Sequence, residues 1–398
     1  MKKILFVALG LSLACNSSQK TVSQQTESIK SVVDPQVYAE SITEAELKEH
    51  LYTYASDEFE GRDTGEPGQK KAVEYLKAEY VQLGIPAAQS DGNYFQNVPL
   101  VINRLPKGSV SINGKNFENG DGLLTFSAAI GSYDNIVYVN HGVEEENYSD
   151  YAGLDIKGKI VLMKAGEPVN ADGTYTLSGT NEKSVWSNMS ESIGKRMELA
   201  SSKGAIGVLY FDEANFGRFK NRFNFMQGND GGSMVLKDEI ESDFFSFFID
   251  ATVANAILPN ILSESTSKNV ATELVLNIES DSQDLDSENV VAVIKGSEKP
   301  NEYVIISAHL DHVGVNSAGE IFNGADDDGS GTVGLLEIAE AFKKAADEGH
   351  GPKRSVVFLH VTGEEKGLLG SKYYADHDPI FPLSETVADL NIDMIGRI

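Results

Sequence analysis

The sequence predicts the α/β class, with a mixed and mostly parallel sheet flanked by helices and a β-rich module inserted into it. Strand and helix patterns alternate from about residue 288 to the last residue, 398. We expect strands at 290–294, 303–308, 355–361 and 387–392, because these runs are apolar and rich in β-branched residues. A helix is expected at 333–346, where Leu335, Ile338, Ala339 and Phe342 have helical spacing. This alternation is typical of a parallel sheet with helices on both faces.

Two helical patterns precede this region. A capping-box pattern begins at Ser41, and apolar residues at helical spacing follow as far as Tyr54. A second apolar stripe covers residues 68–83 and ends at Gly84. Residues 105–275 differ, since short alternating strands are separated by loops rich in Gly and Asn. We therefore predict an N-terminal part of the main domain at 41–104, an inserted β-rich domain at 105–275, and the rest of the main domain at 276–398.

The first fifteen residues have the pattern of an export signal. Lys2 and Lys3 precede an apolar run of ten residues, which is too short to span a bilayer. Cys15 directly follows a small residue, as in the lipobox of a bacterial lipoprotein, although Leu11 is not in the ideal place. The sequence thus favours a periplasmic or outer-membrane lipoprotein over simple secretion, and both over a cytoplasmic protein. Residues 16–40, polar in their first half, are predicted to be a flexible tether.

Composition excludes some classes of function. The chain has 60 acidic and 33 basic residues and a net charge of −27, which would repel nucleic acid. Cys15 is the single cysteine, so an internal disulfide cannot form. We expect no nucleic-acid partner, and membrane contact only through a lipidated N-terminus.

Histidine and carboxylate residues follow the predicted strands in the last 90 residues. His309 and Asp311 follow one strand, Glu364 and Glu365 another, and Asp393 a third, while Asp326-Asp327-Asp328 precedes the helix. Each group alone could be a polar turn or a solvated loop. Because ligands bind beyond the carboxyl ends of parallel strands, the four groups together predict a metal site. Imidazole and carboxylates suit zinc, and manganese and cobalt stay open as alternatives.

The ordered set of motifs resembles the co-catalytic di-zinc aminopeptidases, a family that includes the glutamate carboxypeptidases. The motifs are His309-x-Asp311, Asn323-Gly-Ala-Asp-Asp-Asp-Gly-Ser-Gly331, Gly363-Glu-Glu365 and Asn391-Ile-Asp-Met394. Glu60-Gly61-Arg62 is similar to the N-terminal part of larger members. The inserted segment resembles a protease-associated domain at residues 151–161.

The resemblance implies a zinc exopeptidase fold, a peptide substrate and a role for each site residue. His309 and Asp393 would bind one zinc ion, Glu365 the other, and Asp327 would bridge them. Glu364 would be the general base and acid, with Asp311 as the second catalytic-site residue, placed behind the ligands. The implied reaction is hydrolysis of a terminal peptide bond by metal-activated water, most simply removal of N-terminal residues.

One departure from the family pattern affects the second zinc. The family takes a further histidine from a late loop, and no histidine follows Asp393 in this sequence. We therefore expect the Glu365 site to lack a ligand, His312 to lie outside the ligand set, and the catalytic domain to be incomplete at its C-terminus. Alternatives are a carboxypeptidase for acidic dipeptides with Arg62 as anchor, an acyltransferase such as glutaminyl cyclase, and an impaired binding protein on the same scaffold.

Overall fold

The structure is a computed structural model that describes residues 34–228, 232–240 and 243–397. The predicted export signal, Cys15 and most of the predicted tether lie outside these residues. The helices are α1 (Gln36–Ala39), α2 (Glu44–Tyr54), α3 (Pro67–Leu83), α4 (Met189–Ser202), α5 (Phe216–Gln227), α6 (Ala251–Ile257), α7 (Gly331–Asp347) and α8 (Leu369–Lys372). The strands are β1 (Phe95–Ile112), β2 (Lys115–Glu118), β3 (Leu123–Thr125), β4 (Ala129–Tyr138), β5 (Glu144–Glu145), β6 (Tyr148–Ser149), β7 (Ile160–Lys164), β8 (Gly207–Phe211), β9 (Ser233–Leu236), β10 (Phe245–Ile249), β11 (Lys268–Ile294), β12 (Lys299–His309), β13 (Arg354–Val361) and β14 (Thr386–Asn391).

A mixed sheet of twelve strands runs through the described part of the chain, and β5 and β6 pair in a separate two-stranded sheet. At one end the order is β14-β12-β13-β11, with β12 parallel to both of its neighbours and β11 antiparallel to β13. At the other end β4, β7, β8 and β10 are parallel, and β3 closes the edge antiparallel. The predicted α/β class is confirmed, and the parallel strands at 303–308, 355–361 and 387–392 are found where the sequence placed them.

Strands β1 and β11 form a long antiparallel ribbon that joins the two ends of the sheet. β11 has 27 residues, and its register with β1 runs from Leu274 to Val290 with one irregularity, between Arg104 and Lys107. One apolar core surrounds the β-rich half of this ribbon and another surrounds its end near β13. The inserted module at residues 105–275 and its protease-associated identity stay predictions.

The helices beside the site follow from local sequence signals. Helix α3 has Pro67 at its first turn and ends at Gly84, whose φ of +68° suits glycine. Helix α2 begins after Thr43, whose hydroxyl accepts a hydrogen bond from the Glu46 amide, so the predicted start at Ser41 was two residues early. The end of the predicted tether is ordered, because α1 forms there and buries Tyr38. Among the described residues, none of the helices has both the length and the apolar character needed to cross a bilayer.

Candidate metal centre

The carboxyl ends of three adjacent parallel strands bring the predicted site residues together. His309 is the last residue of β12 and pairs in register with Val361 of β13. Ser307, two residues earlier, pairs with Asn391 of β14. Glu364 and Asp393 lie a few residues beyond these positions, so both side chains reach the same edge of the sheet as His309. The strand pattern alone therefore determines that these three groups converge.

The three consecutive aspartates before α7 have three different environments. Asp326 accepts a hydrogen bond from the Gly396 amide and pairs with Arg397, Nε to Oδ2, at 3.0 Å. Asp328 is fully buried and accepts from the amides of Gly331 and Met394. Burial raises the pKa of Asp328 to about 7. Of the three, Asp327 is the one whose carboxylate lies beside His309, in agreement with its predicted place in the centre.

His309 lies at the middle of a first group of possible metal ligands. Its Nε2 atom is 3.2 Å from Asp327 Oδ1, 3.8 Å from Asp393 Oδ1 and 4.0 Å from Glu364 Oε2. The Nδ1–H group donates to the backbone carbonyl of Asp311 at 3.1 Å. The Nε2 lone pair of the neutral ring therefore faces carboxylate oxygens, and this buried atom has no hydrogen-bond partner. Such an arrangement is stable only with a proton or a cation between these atoms.

A second group shares Asp327 with the first. Ligand atoms of His312, Asp327 and Glu365 lie within 4.8 Å of one another, as do those of His309, Asp327 and Asp393. Asp327 is therefore common to both groups, and its role as a bridge between two cations stays a prediction. His312 lies beside this group, since its Nδ1 atom is 2.7 Å from Glu365 Oε1, and its place outside the ligand set stays a prediction.

Asp311 lies behind His309 and holds two parts of the site. Its Oδ2 atom accepts a hydrogen bond from the Thr64 hydroxyl at 2.9 Å, and its Oδ1 atom accepts from the Glu364 amide at 3.1 Å. Burial raises the pKa of this carboxyl, since it is fully enclosed. A side chain without exposed surface does not touch a substrate. Asp311 is therefore a positioning residue, although the sequence analysis grouped it with the catalytic residues.

Glu364 is the candidate base because its carboxyl is partly exposed beside the first group. Burial, followed by the nearby carboxylates, raises the pKa of Glu364 despite the opposing effect of His309. For His309, burial lowers the pKa, but the surrounding carboxylates outweigh it and raise the pKa overall. A carboxylate with a raised pKa next to a possible cation site is suited to accept and return a proton.

The side chain of Arg62 connects the loop of His309 and Asp311 with the loop that precedes the three aspartates. Its guanidinium is fully buried and donates to the carbonyl oxygens of Tyr54, Leu310, Asn323 and Gly324 at 2.7–3.1 Å. Leu310 lies between His309 and Asp311, and Gly324 precedes the three aspartates. The backbone at Gly61 lies close to the Phe322 carbonyl, and only glycine permits this, since a Cβ atom there would lie 2.4 Å from the carbonyl oxygen. Arg62 is therefore unable to anchor the carboxylate of an acidic substrate, and that assignment is wrong.

Replacing Arg62 with lysine is expected to lower the free energy of unfolding by about 3 kcal/mol, because one ammonium group cannot satisfy four buried carbonyls. Urea denaturation followed by circular dichroism measures the change. Arg218→Lys is the control, since Arg218 is exposed on α5. A change below about 1 kcal/mol for Arg62→Lys would show that the loops do not depend on the guanidinium.

The part of the chain that carries these ligand loops is similar to one known peptidase family. Residues 289–398 match the profile of Peptidase family M28. This M28 segment contains every predicted ligand, from His309 to Asp393. The N-terminal helices and the β-rich part lie outside it.

Curated relatives of the chain include peptidases from plants and fungi. The probable glutamate carboxypeptidase AMP1 of Arabidopsis thaliana is 26% identical over 302 residues, which are 67% of this chain and 39% of that protein. The probable leucine aminopeptidase 2 of Aspergillus oryzae is 28% identical over 274 residues, which are 69% of this chain and 44% of that protein. The chain thus spans less than half the length of these relatives. The solved aminopeptidase from Aneurinibacillus sp. strain AM-1 aligns with a TM-score of 0.39 and 18% identity, over 91% of this chain and 72% of that chain.

The donor atoms of the M28 segment fit zinc. Zinc in proteins takes imidazole nitrogen and carboxylate oxygen, and each of the two groups offers one imidazole and two carboxylates. His309 Nε2, His312 Nδ1 and Glu365 Oε1 are buried and have no hydrogen-bond partner. Buried polar atoms are normally paired, so three unpaired atoms around two adjacent points indicate places for cations.

The remaining histidines have other roles. His360 is fully buried within β13, where the Tyr80 hydroxyl lies 2.8 Å from its Nε2 atom, and burial lowers its pKa to about 3. This agrees with the prediction of a core histidine. His50, His141, His350 and His377 belong to neither of the two ligand groups found among the described residues.

Proposed function

We propose that this chain is a zinc-dependent exopeptidase of the aminopeptidase type, which hydrolyses N-terminal residues of peptides. The observation on which this rests is the convergence of His309 Nε2, Asp327 and Asp393 around one point, with the Glu364 carboxylate 4.0 Å from the same nitrogen. His309, Asp327 and Asp393 would hold one zinc, and Asp327 and Glu365 would contribute to a second. The match to family M28 and the names of the relatives support the same reaction class.

The zinc ligands, Glu364 and Asp311 would each have a separate role in hydrolysis. Zinc bound here would lower the pKa of a water molecule and polarise the scissile carbonyl. Glu364 takes a proton from the attacking water and later delivers it to the departing amine nitrogen, as a general base and then a general acid. The Asp311 carboxylate accepts a hydrogen bond from the Glu364 amide, and the Asp311 backbone carbonyl accepts one from His309 Nδ1, so that the base stays aligned with the ligands.

The carboxylates around the site carry the charge that two divalent cations would neutralise. Asp327, Glu364, Glu365 and Asp393 provide four carboxylates. His309 and His312 provide two imidazoles beside them. A cavity of about 430 Å³ opens beside Asp327 and Asp326 and is lined in part by Leu51 and Met394.

The acidic-dipeptide alternative has less support from this site. It requires a cation that is free to bind the substrate carboxylate, and Arg62 donates its hydrogen bonds to four backbone carbonyls instead. Because one relative is named a probable glutamate carboxypeptidase, the substrate experiment also includes this alternative. The N-terminal sequence adds to the proposal that the enzyme is exported and anchored through a lipidated Cys15.

The zinc-loaded chain is expected to cleave an aminoacyl nitroanilide and not its N-acetylated form. Release of nitroaniline measures the first reaction, and an N-blocked dipeptide with a C-terminal glutamate tests the carboxypeptidase alternative by amine release. Preferred cleavage of the N-blocked acidic dipeptide would overturn the aminopeptidase assignment. Zinc binding without hydrolysis of either substrate would favour an impaired binding protein.

A further inference from the structure

Thr64 belongs to the N-terminal part of the chain, outside the M28 segment, yet its side chain reaches the site. Its hydroxyl donates to Asp311 Oδ2 at 2.9 Å, and the residue is only 2% exposed. Through its other oxygen, Oδ1, Asp311 accepts from the Glu364 amide at 3.1 Å. A hydroxyl from one segment and the backbone of the proposed base from another therefore meet at the two oxygens of one buried carboxylate.

Backbone contacts hold residues 61–64 against the loop that follows β12. The Gly61 carbonyl accepts a hydrogen bond from the Gly314 amide at 3.0 Å. Gly314 leaves room for Asp63, since a Cβ atom at Gly314 would lie 2.5 Å from Asp63 Cβ. The place of Thr64 relative to the end of β12 is thus determined by contacts of the backbone on either side of the loop.

Asp63 makes a second contact with the loop that carries the base. Its Oδ1 atom accepts a hydrogen bond from the Thr64 amide at 2.9 Å and lies 2.7 Å from Lys366 Nζ. The side chains of Asp63 and Lys366 are 32% and 27% exposed, so water screens this ion pair. The buried hydroxyl of Thr64 is therefore the stronger of the two contacts.

The Thr64 bond restricts the orientation of the Asp311 carboxylate. A carboxylate held at one oxygen can rotate about its Cβ–Cγ bond, because the χ2 angle of aspartate has broad minima. A bond to Oδ2 limits this rotation, and the plane of the carboxylate then presents Oδ1 to the Glu364 amide. Loss of the hydroxyl would also leave a buried carboxylate oxygen with one donor fewer, which is unfavourable.

We infer that Thr64 is a positioning residue for the proposed base Glu364 and acts on it through the Asp311 carboxylate. The inference rests on the proposed function and extends the site beyond the M28 segment to the N-terminal part of the chain. Because Thr64 is buried, it does not touch the substrate, and its effect is on the alignment of the base.

Hydrogen exchange at the Glu364 amide tests this contact without zinc or substrate. Thr64→Val keeps the shape of the side chain and removes the donor, so the amide should exchange about 3–10-fold faster than in the wild type. Thr64→Ser keeps the donor and should exchange at the wild-type rate. Thr125→Val is the control and should also leave the rate unchanged. Thr125 is fully buried, and its hydroxyl donates to the Ser127 carbonyl at 3.0 Å, in β3 at the opposite end of the strand order from β14.

Nitroanilide hydrolysis at saturating zinc measures the effect on the base. In Thr64→Val, kcat should fall by about 10–100-fold, the range typical of residues behind a metal site. KM should change by less than about threefold, because Thr64 does not bind the substrate. Thr64→Ser should restore kcat, and Thr64→Cys, whose thiol is a weak donor, should give an intermediate value, which also tests the donor if Thr64→Val does not fold. A reversed order, with valine more active than serine, would mean that packing and not the hydrogen bond matters, and would overturn the inference.

Combination with Glu364→Gln shows whether Thr64 acts through the base. In that background Thr64→Val should lower kcat further by less than about twofold, because effects that pass through one residue do not add. An equal loss in both backgrounds would mean that Thr64 acts on another part of the site, and would contradict the inference.

The outcomes separate this inference from the proposed function. An unchanged exchange rate or a wild-type kcat in Thr64→Val would overturn the role of Thr64 and leave the exopeptidase assignment intact. If the wild type hydrolysed neither substrate, the proposed function would be wrong, and the exchange rates alone would decide whether Thr64 holds the Glu364 backbone.

Discussion

Replacing Asp327 with asparagine is expected to abolish binding of both zinc ions. Asp327 is the one residue common to the His309 and His312 groups, so a single change removes a ligand charge from each. The amide oxygen of asparagine is neutral and a poor ligand for zinc. We expect both affinities to fall by more than about 100-fold, beyond the effect typical of residues outside the ligand set.

Calorimetry measures the loss directly, and thermal unfolding measures it independently. Zinc at about 100 times its dissociation constant stabilises a folded protein by about 2.7 kcal/mol, and Asp327→Asn should lack this gain. Asp376→Asn is the matched control, since Asp376 is exposed and belongs to neither ligand group. Two ions bound normally by Asp327→Asn would refute the shared position of Asp327.

The second large effect concerns the proposed base. Glu364→Gln should lower kcat by about 10²–10⁴-fold, because the amide cannot take a proton from water or return one to the leaving amine. Zinc binding should persist, since His309, Asp327 and Asp393 are unchanged. The shape and volume of the side chain are also kept, so the Asp311 bond to the Glu364 amide stays.

Nitroanilide hydrolysis by the zinc-loaded proteins gives kcat, and calorimetry on the same samples gives the zinc content. Glu198→Gln, an exposed change on α4, serves as control and should keep wild-type kcat. If Glu364→Gln kept both zinc and a kcat within threefold of wild type, a different group would have to move the proton.

Much of the site could be predicted because strand periodicity determines where side chains converge. His309, Glu364 and Asp393 follow apolar runs that become β12, β13 and β14, and parallel strands end at one edge. The central position of Asp327 among three aspartates came from the family resemblance. The structure gives it a physical reason, since Asp326 and Asp328 are occupied by the backbone amides of Gly396, Gly331 and Met394.

Other features depend on contacts between distant segments, which local patterns do not contain. The place of His312 depends on Gly324 and Glu365, which come from two different loops. Arg62 was considered as a substrate anchor, because sequence does not show that four carbonyls enclose it. The 27-residue strand β11 was also missed, because its first half is polar on alternate faces and its last five residues are uniformly apolar.

The uninterrupted course of β11 limits how the molecule can be dissected. Residues 268–278 pair with β4 in the β-rich half, and residues 290–294 pair with β13, which leads directly to Glu364. A fragment cut at residue 276 would divide β11, the strand with which both ends of the sheet pair. Any shorter expression clone should keep this strand whole, together with its partner β1, or it will expose backbone groups of the remaining ribbon to solvent and to other chains.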